Sequence, residues 1–593
     1  MENVPGPLVK RLAGAVRSAL FRALERFRIG DQTFHILLAS VIGTLSGLGA
    51  VAFLLMIRLV RHLFFGILYP ATGSNPYLLC LLPALGGLVI GPLVRAFPTE
   101  AKGDGIPYAM ESASLRGGII RPRTVALRTL TSAITIGSGG SVGREAPIGQ
   151  IGAAVGSSVG QLLKVSGERM RSLLACGAAG GIAAVFNAPV GGVFFTLEVI
   201  LGDFSTQTFA PIVVSSVMAT AVSRMLLGNV LIFTVPPFRL DSLQQVGLCV
   251  FLGALCGAVA VLFMKSLSTA EKRFDASPVP LWLRPALGGL LTGVVAVGFP
   301  QVLGTDESSL NQAVHGGVPT LLLLAIVAMK LLATSSSLGS GGSGGVLGPS
   351  LFIGGLLGAA LGDAANFWFP GSSGAAGGYA LVGMAAFLAP VVGAPLTAVL
   401  MLFEMTGDYA VILPLLAAVT ISMLVAHRFQ RHSLYTMKLH EKGLDLSTGR
   451  EEGVLRSLTV GQVMREEVRS VPPGATFGQL RDHFFGGNVE YLYVVEEGGR
   501  LTGVISFMDL RPYLLEPALA GVVVARDVAT EGPVFVTPEE NLRDSLVKFG
   551  YKNVSYLPVV DDPHRRTLIG VLRRDDLLDV YRKRIVRPDG PEG

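Results

Sequence analysis

Between His35 and about Tyr435 the chain is a succession of apolar runs separated by short polar breaks. Two runs are long, His35 to about Phe65 and Tyr77 to Val94. A hydrocarbon core of roughly 30 Å takes about 20 residues at about 1.5 Å rise each, so both runs predict membrane-spanning helices. Many later pieces are shorter and are cut by Gly, Pro and Ser, which predicts re-entrant or broken helices beside full spans. From Val454 the pattern changes to charged sequence with short alternating strands, as in a water-exposed domain.

The pattern is doubled in both parts. Pro147 is followed by Ile151, Gly152, Gly156 and Gly160, and Pro349 by Ile353, Gly354, Gly358 and Gly362 at the same spacing. Pro189 leads to Glu198 as Pro395 leads to Glu404. Two homologous halves are expected in the apolar region. In the tail, Asn488-Val-Glu-Tyr491 before Val494 matches Asn553-Val-Ser-Tyr556 before Val559. Each tail repeat ends in an apolar strand and an aspartate-capped helix, which predicts a tandem module.

Composition sharpens this reading. The 593 residues are 50% hydrophobic with mean hydropathy +0.56, which excludes an ordinary soluble chain, and the 75 glycines suit close packing of membrane helices. A net charge of +6 needs no nucleic-acid partner to explain it. Lys10, Arg11, Arg17, Arg22, Arg26 and Arg28 precede the first apolar run, which places the N-terminus in the cytoplasm, and no cleavage site for a signal peptide follows. Cys80, Cys176, Cys249 and Cys256 lie in apolar runs without metal-ligand spacing and read as packing residues. No Ser/His/Asp set, phosphate loop or metal-binding cluster appears, and His35, His315, His427 and His432 are scattered, so no enzyme activity and no metal are expected.

The candidate chemistry lies in Gly137-Ser-Gly-Gly-Ser-Val-Gly-Arg-Glu-Ala-Pro147. It sets a glycine-rich loop, an arginine and a glutamate inside apolar sequence. An ionisable residue at membrane depth is a functional hypothesis by default. Pro147 suits the first turn of a helix, so the loop aims a helix N-terminus at something negative. The segment reads as a small-anion site, with Glu145 a tethered carboxylate that competes for it.

Four motifs in order resemble the CLC family of chloride channels and proton-coupled chloride exchangers, over residues 35–440. They are Gly103-Asp-Gly-Ile-Pro107, Gly143-Arg-Glu-Ala-Pro147, Gly345-Val-Leu-Gly-Pro349 and Ser433-Leu-Tyr435, with Phe186-Asn-Ala-Pro189 and Leu402-Phe-Glu-Met-Thr406 among them. The tail resembles tandem CBS domains. The resemblance implies an α-helical polytopic membrane protein of two inverted-topology repeats with re-entrant half-helices, followed by an α/β CBS pair. It implies a homodimer with one anion pathway per subunit. Glu145 is the implied gate. Asp104, Gly105, Ile106, Arg144, Glu145, Val346, Leu347 and Tyr435 are the implied anion-binding set, through backbone amides at 105, 106, 346 and 347 and the Tyr435 hydroxyl. Arg144 reads as a structural charge more than a direct ligand.

The expected layout is a cytoplasmic N-terminus over 1–33, an anion-transport domain over 34–440, a linker over 441–455, CBS domains over 456–516 and 522–585, and a tail over 586–593. Both termini are expected in the cytoplasm and the protein in the plasma membrane.

Three departures from the family pattern matter. The exchangers carry a proton-relaying glutamate one residue after the Glu198 position, where this chain has Val199. That favours a voltage-gated-type chloride channel, with a proton/chloride antiporter as the alternative. Asp104 replaces a serine beside the anion and must be protonated, point away, or leave the amides to bind alone; one expectation is that it faces the cytoplasmic vestibule and makes flux pH-sensitive. Leu347 replaces a phenylalanine, apolar for apolar. Glu198 and Glu404 read equally as helix caps, dimer scaffold or transport residues. In the tail, Ser506, Asp509 and Asp576 fit the family's adenine-nucleotide pattern for ATP or AMP, against a plain dimer-contact role. A CBS-regulated cation transporter is the remote alternative, since hard cations want acidic pore oxygens and the apolar region is poor in them.

Overall fold

The structure, a computed structural model, describes residues 31–71, 75–97, 104–115, 117–165, 167–228, 242–304, 307–315, 318–368, 376–441, 455, 458–486, 489–514, 522–552 and 554–581. The basic residues 10–28, Gly103 and most of the 441–455 segment lie outside this set. The chain forms two compact units, Met1–Leu439 and His440–Gly593.

The first unit is helical. Among the described residues, seven helices are long and apolar enough to cross a membrane: Gln32–Ala71, Tyr77–Ala96, Thr208–Leu227, Leu243–Ala276, Thr320–Gly339, Leu347–Trp368 and Tyr409–His440. Shorter apolar helices lie between them, at Pro189–Leu201, Arg284–Gly298, Gly377–Val392 and Pro395–Thr406. Three of these pieces begin at a proline or glycine and the fourth has Pro285 as its second residue, as the breaks in the sequence predict.

The two repeats clasp each other by reciprocal contacts. Gly143 N–H donates to Gly345 O and Gly345 N–H to Gly143 O, both at 2.7 Å, in an antiparallel bridge. Ser132 and Ser343 share a hydroxyl hydrogen bond of 2.8 Å, as Ser141 and Thr334 do at 3.0 Å. Gly140 N–H closes on Thr135 O, and Gly342 N–H on Ser337 O. An antiparallel bridge between equivalent residues means that the two signature loops run in opposite directions, the local mark of inverted repeats.

Small residues set the helix spacing. In the first repeat Glu145–Leu163 packs against Gly167–Phe186; in the second, Leu347–Trp368 packs against Ala376–Val392. A Cβ on Gly152 would land on the carbonyl oxygen of Gly177, and one on Gly177 would land on that of Gly152. Backbones this close cannot give way, so these positions require glycine.

The second unit is the tandem module. A four-stranded sheet pairs Ser470–Val471, Tyr491–Val495, Leu501–Ser506 and Thr530–Glu531 in that order. A second sheet pairs Tyr556–Val560 antiparallel to Leu568–Arg573. In the hairpin pair of each repeat the register shifts at the repeated Val-Val, between Val494 and Val495 and between Val559 and Val560. The helix Phe507–Leu514 follows its strand directly, as Arg574–Tyr581 follows the other.

Candidate functional site

Three helices of the membrane unit start at the signature motifs: Ile106–Leu115, Glu145–Leu163 and Leu347–Trp368. Tyr435 lies at the start of a fourth, Leu434–His440. Each helix N-terminus carries unsatisfied N–H groups and partial positive charge, so their convergence favours an anion. The bridge between Gly143 and Gly345 joins the second and third starts.

Glu145 is 3% exposed, and its Oε2 accepts from Gly348 N–H at 3.2 Å. The Glu145 carboxylate of one repeat therefore sits on the helix start of the other. A Cβ on Gly143 would overlap Glu145 Oε2 and lie 3.0 Å from Gly348 N, so that position must be glycine for the carboxylate to rest there. Val346 and Leu347 are fully buried.

Asp104 is buried, and its Oδ1 accepts from Ile106 N–H at 2.9 Å. The Ile106 amide, expected to serve the anion, is thus already engaged by the chain. Asp104 Oδ2 is buried without a hydrogen-bond partner among the described residues, and so is Tyr435 Oη. The expectation that Asp104 faces an open vestibule does not match this burial. Tyr435 is 0% exposed and lies within electrostatic reach of Asp104 and Glu145. Lys438 and Arg128 act on Asp104, and the Val346 amide lies near its carboxylate. Asp104, Gly105, Ile106, Glu145, Val346 and Tyr435 are therefore brought into one site, with Leu347 beside them. Arg144 immediately precedes its helix and is half-buried, unlike the other members of the set.

Two buried cations escaped the sequence reading. Arg128 donates to Asp104 O at 3.4 Å and Gln150 Oε1 at 3.3 Å. Lys330, 0% exposed, donates to Val302 O at 2.9 Å and to Gly304 O, with the Phe352 ring centroid 4.8 Å away. They are 202 residues apart, the offset that separates Pro147 from Pro349. Arg128 holds one loop carbonyl and a glutamine side chain of its own repeat, and Lys330 holds two backbone carbonyls of its own. That shared offset was the available signal.

Glu198 and Glu404 are reciprocal caps. Glu404 accepts from the N–H groups of Val190 and Gly191 at 3.1 and 2.9 Å. Glu198 accepts from those of Leu396 and Thr397 at 3.1 and 2.8 Å, and from Thr397 Oγ1 at 2.6 Å. Each satisfies the start of the proline-led helix in the other repeat. Val199, beside Glu198, is buried and apolar and binds no proton.

In the second unit the proposed nucleotide residues have protein partners. Asp509 Oδ2 accepts from Ser506 N–H and Oγ–H, both at 2.8 Å, as a helix cap. Asp576 receives a forked pair from Arg465 at 2.8 and 2.6 Å, which holds the guanidinium above its ordinary range. The Tyr491 and Tyr556 rings meet at a tilt of 46° with centroids 4.7 Å apart, and Arg573 lies over Tyr556 at 5.3 Å. Elsewhere on the unit an open cleft of about 300 Å³ carries Arg500, Arg526 and Arg566 beside Glu496 and Glu531, a feature the sequence reading did not single out.

The comparisons with known proteins agree with this geometry. Residues 86–427 match the family model described as voltage gated chloride channel, and 460–516 and 525–583 each match that of the CBS domain. A ClcB-like chloride channel protein of Ralstonia nicotianae is 33% identical over 410 residues, 68% of this chain and 96% of its own length. The H+/Cl− exchange transporter ClcA of Vibrio parahaemolyticus is 32% identical over 448 residues, 72% of this chain and 94% of its own. Among solved structures, a slow cyanobacterial Cl−/H+ antiporter superposes with a TM-score of 0.64 at 26% identity, over 70% of this chain and 98% of that one.

Proposed function

We propose that this chain, which belongs to the voltage-gated chloride channel family, exchanges chloride for protons across a membrane. Anion transport by a multi-pass membrane protein is common to the family; the coupling to protons is the proposal. The observation that carries it is the buried Glu145 carboxylate, seated on Gly348 N–H where the helix starts converge. A carboxylate in the anion's place leaves only when it takes up a proton or an ion displaces it, so anion and proton movements exclude or drive one another. Relatives named as H+/Cl− exchangers support this reading over the channel that Val199 suggested. A valine closes one proton route and leaves others open.

Chloride in a low-dielectric site needs compensation for lost water, and a full positive charge there would hold it too tightly for turnover. Helix-terminal N–H groups and the Tyr435 hydroxyl give intermediate attraction, so the ion can leave again. Arg128 and Lys330, which bind loop carbonyls, keep full charges engaged with the scaffold.

The test is reconstitution in liposomes with a chloride gradient and no proton gradient. Uphill proton movement driven by chloride is expected. Chloride flux without it would return the reading to a channel.

We further place both termini in the cytoplasm, from the basic N-terminal segment, and read the protein as a homodimer with one pathway per subunit. The CBS unit is read as a nucleotide sensor for ATP or AMP, supported by its family match. Binding at Asp576 would have to open its pair with Arg465. Calorimetry of the full-length protein tests this: binding heat is expected, and no heat at millimolar ATP or AMP removes the sensor reading.

A further inference from the structure

The anion site holds two polar atoms that the protein leaves unpartnered. Asp104 Oδ2 and Tyr435 Oη are both buried without a hydrogen-bond partner among the described residues, on side chains 7% and 0% exposed. The two residues lie within electrostatic reach of one another. Buried polar groups in folded proteins are nearly always satisfied, so a pair of orphans in one place points to a ligand. A phenol hydroxyl offers a donor. A carboxyl oxygen becomes a donor once it is protonated. An ionised Oδ2 would repel a halide; a protonated one would bind it.

We propose that Asp104 takes up a proton when the halide binds, so that Asp104 Oδ2–H and Tyr435 Oη–H donate to the same anion. This rests on the anion-transport reading of the site and deepens it by naming a second titratable ligand beside Glu145. Ile106 N–H holds Oδ1, and the Val346 amide near the carboxylate falls short of hydrogen-bonding geometry, which leaves Oδ2 as the atom that titrates. Loading adds one proton and one chloride, so the buried charge is the same before and after. The ionised carboxylate and the bound halide are alternative occupants of one negative position. The charged and titratable groups around it are Lys438 on Leu434–His440, Arg128 on Pro122–Gly137, Glu145 at the start of its helix, and Tyr435 itself. Lys438 is paired with Glu271 at 2.7 Å, and Arg128 donates to the Asp104 carbonyl and to Gln150 Oε1, so neither is committed to the Asp104 carboxylate alone. A serine in this position could donate but could not titrate.

The experiment is halide calorimetry on the full-length protein carrying Glu145→Gln, in which the side chain competes only weakly and does not titrate. Chloride is titrated between about pH 5 and pH 9 in buffers of different ionisation enthalpy. About one proton is expected to be taken up per halide, with affinity falling roughly tenfold per pH unit above the Asp104 pKa. Adding Asp104→Ser or Asp104→Asn should make affinity independent of pH and bring proton uptake to zero. Halide binding without proton uptake in Glu145→Gln overturns the proposal, and that arm needs no variant of Asp104. Unchanged linkage in a folded Asp104→Asn protein overturns it as well. Failure of the exchanger reading would appear separately, as loss of chloride-driven proton movement in liposomes while proton-linked halide binding persists.

Discussion

Glu145→Gln is expected to abolish chloride-driven proton movement, down to the leak of protein-free liposomes, while chloride still crosses. The amide is nearly isosteric with the carboxylate but cannot ionise or carry a proton. The wild-type Oε2 accepts from Gly348 N–H at 3.2 Å inside a site that is 3% exposed. A hydrogen bond to a charged acceptor contributes about 1.5–3 kcal/mol, roughly twice a neutral one. Losing that difference, about 0.8–1.5 kcal/mol, lowers occupancy of the seat roughly four- to twelvefold. The anion then meets a weaker competitor, so chloride flux should hold or rise, and the pH dependence that remains should be that of Asp104. Proton flux that survives in this variant would mean that the proton bypasses Glu145.

Gly143→Ala should uncouple the protein by a different route, with the acid intact. The added Cβ would overlap Glu145 Oε2 and crowd Gly348 N at 3.0 Å. The bridge to Gly345 uses only backbone groups, so alanine can keep it. What cannot stay is the carboxylate in its seat. Displacing it from a charge-assisted hydrogen bond costs about 2 kcal/mol, roughly a thirtyfold loss of occupancy. The number of protons moved per chloride should fall severalfold, measured in the same liposomes, with the fold intact by thermal unfolding. Wild-type coupling in Gly143→Ala would show that the seat described here is not the one used during transport.

Much of this site was legible from motif and repeat. Gly143 to Pro147 announced a carboxylate at a helix start, and the offset from Pro147 to Pro349 announced its counterpart. What periodicity could not give was which half answers which. Glu198 follows Pro189 in sequence but caps the helix that begins at Pro395, and Glu404 returns the contact to the helix that begins at Pro189. Both bonds span about 200 residues and exist only because the repeats interlock. Arg128 and Lys330 were visible as basic residues in apolar runs, yet only the fold reveals the carbonyls they hold.

Asp104 was read as a departure that could point away from the site; the structure buries it within the site, held by Ile106 N–H. An aspartate beside a helix start has two uses, as a cap and as a ligand, and sequence does not separate them. The same ambiguity affected the tail, where Asp509 caps its own helix and Asp576 pairs with Arg465. Val199 led toward a channel because a missing acid was weighed as a missing function, whereas the relatives along most of the chain include named exchangers.

The central claim is that a dehydrated halide binds among these helix starts and that the Glu145 carboxylate is its competitor. Anomalous scattering from bromide-soaked crystals of Glu145→Gln tests it directly. Density is expected between the amides at Gly105, Val346 and Leu347 and the Tyr435 hydroxyl, extending to the position left by the carboxylate. Bromide found only elsewhere, with those groups engaged by protein alone, would contradict the account.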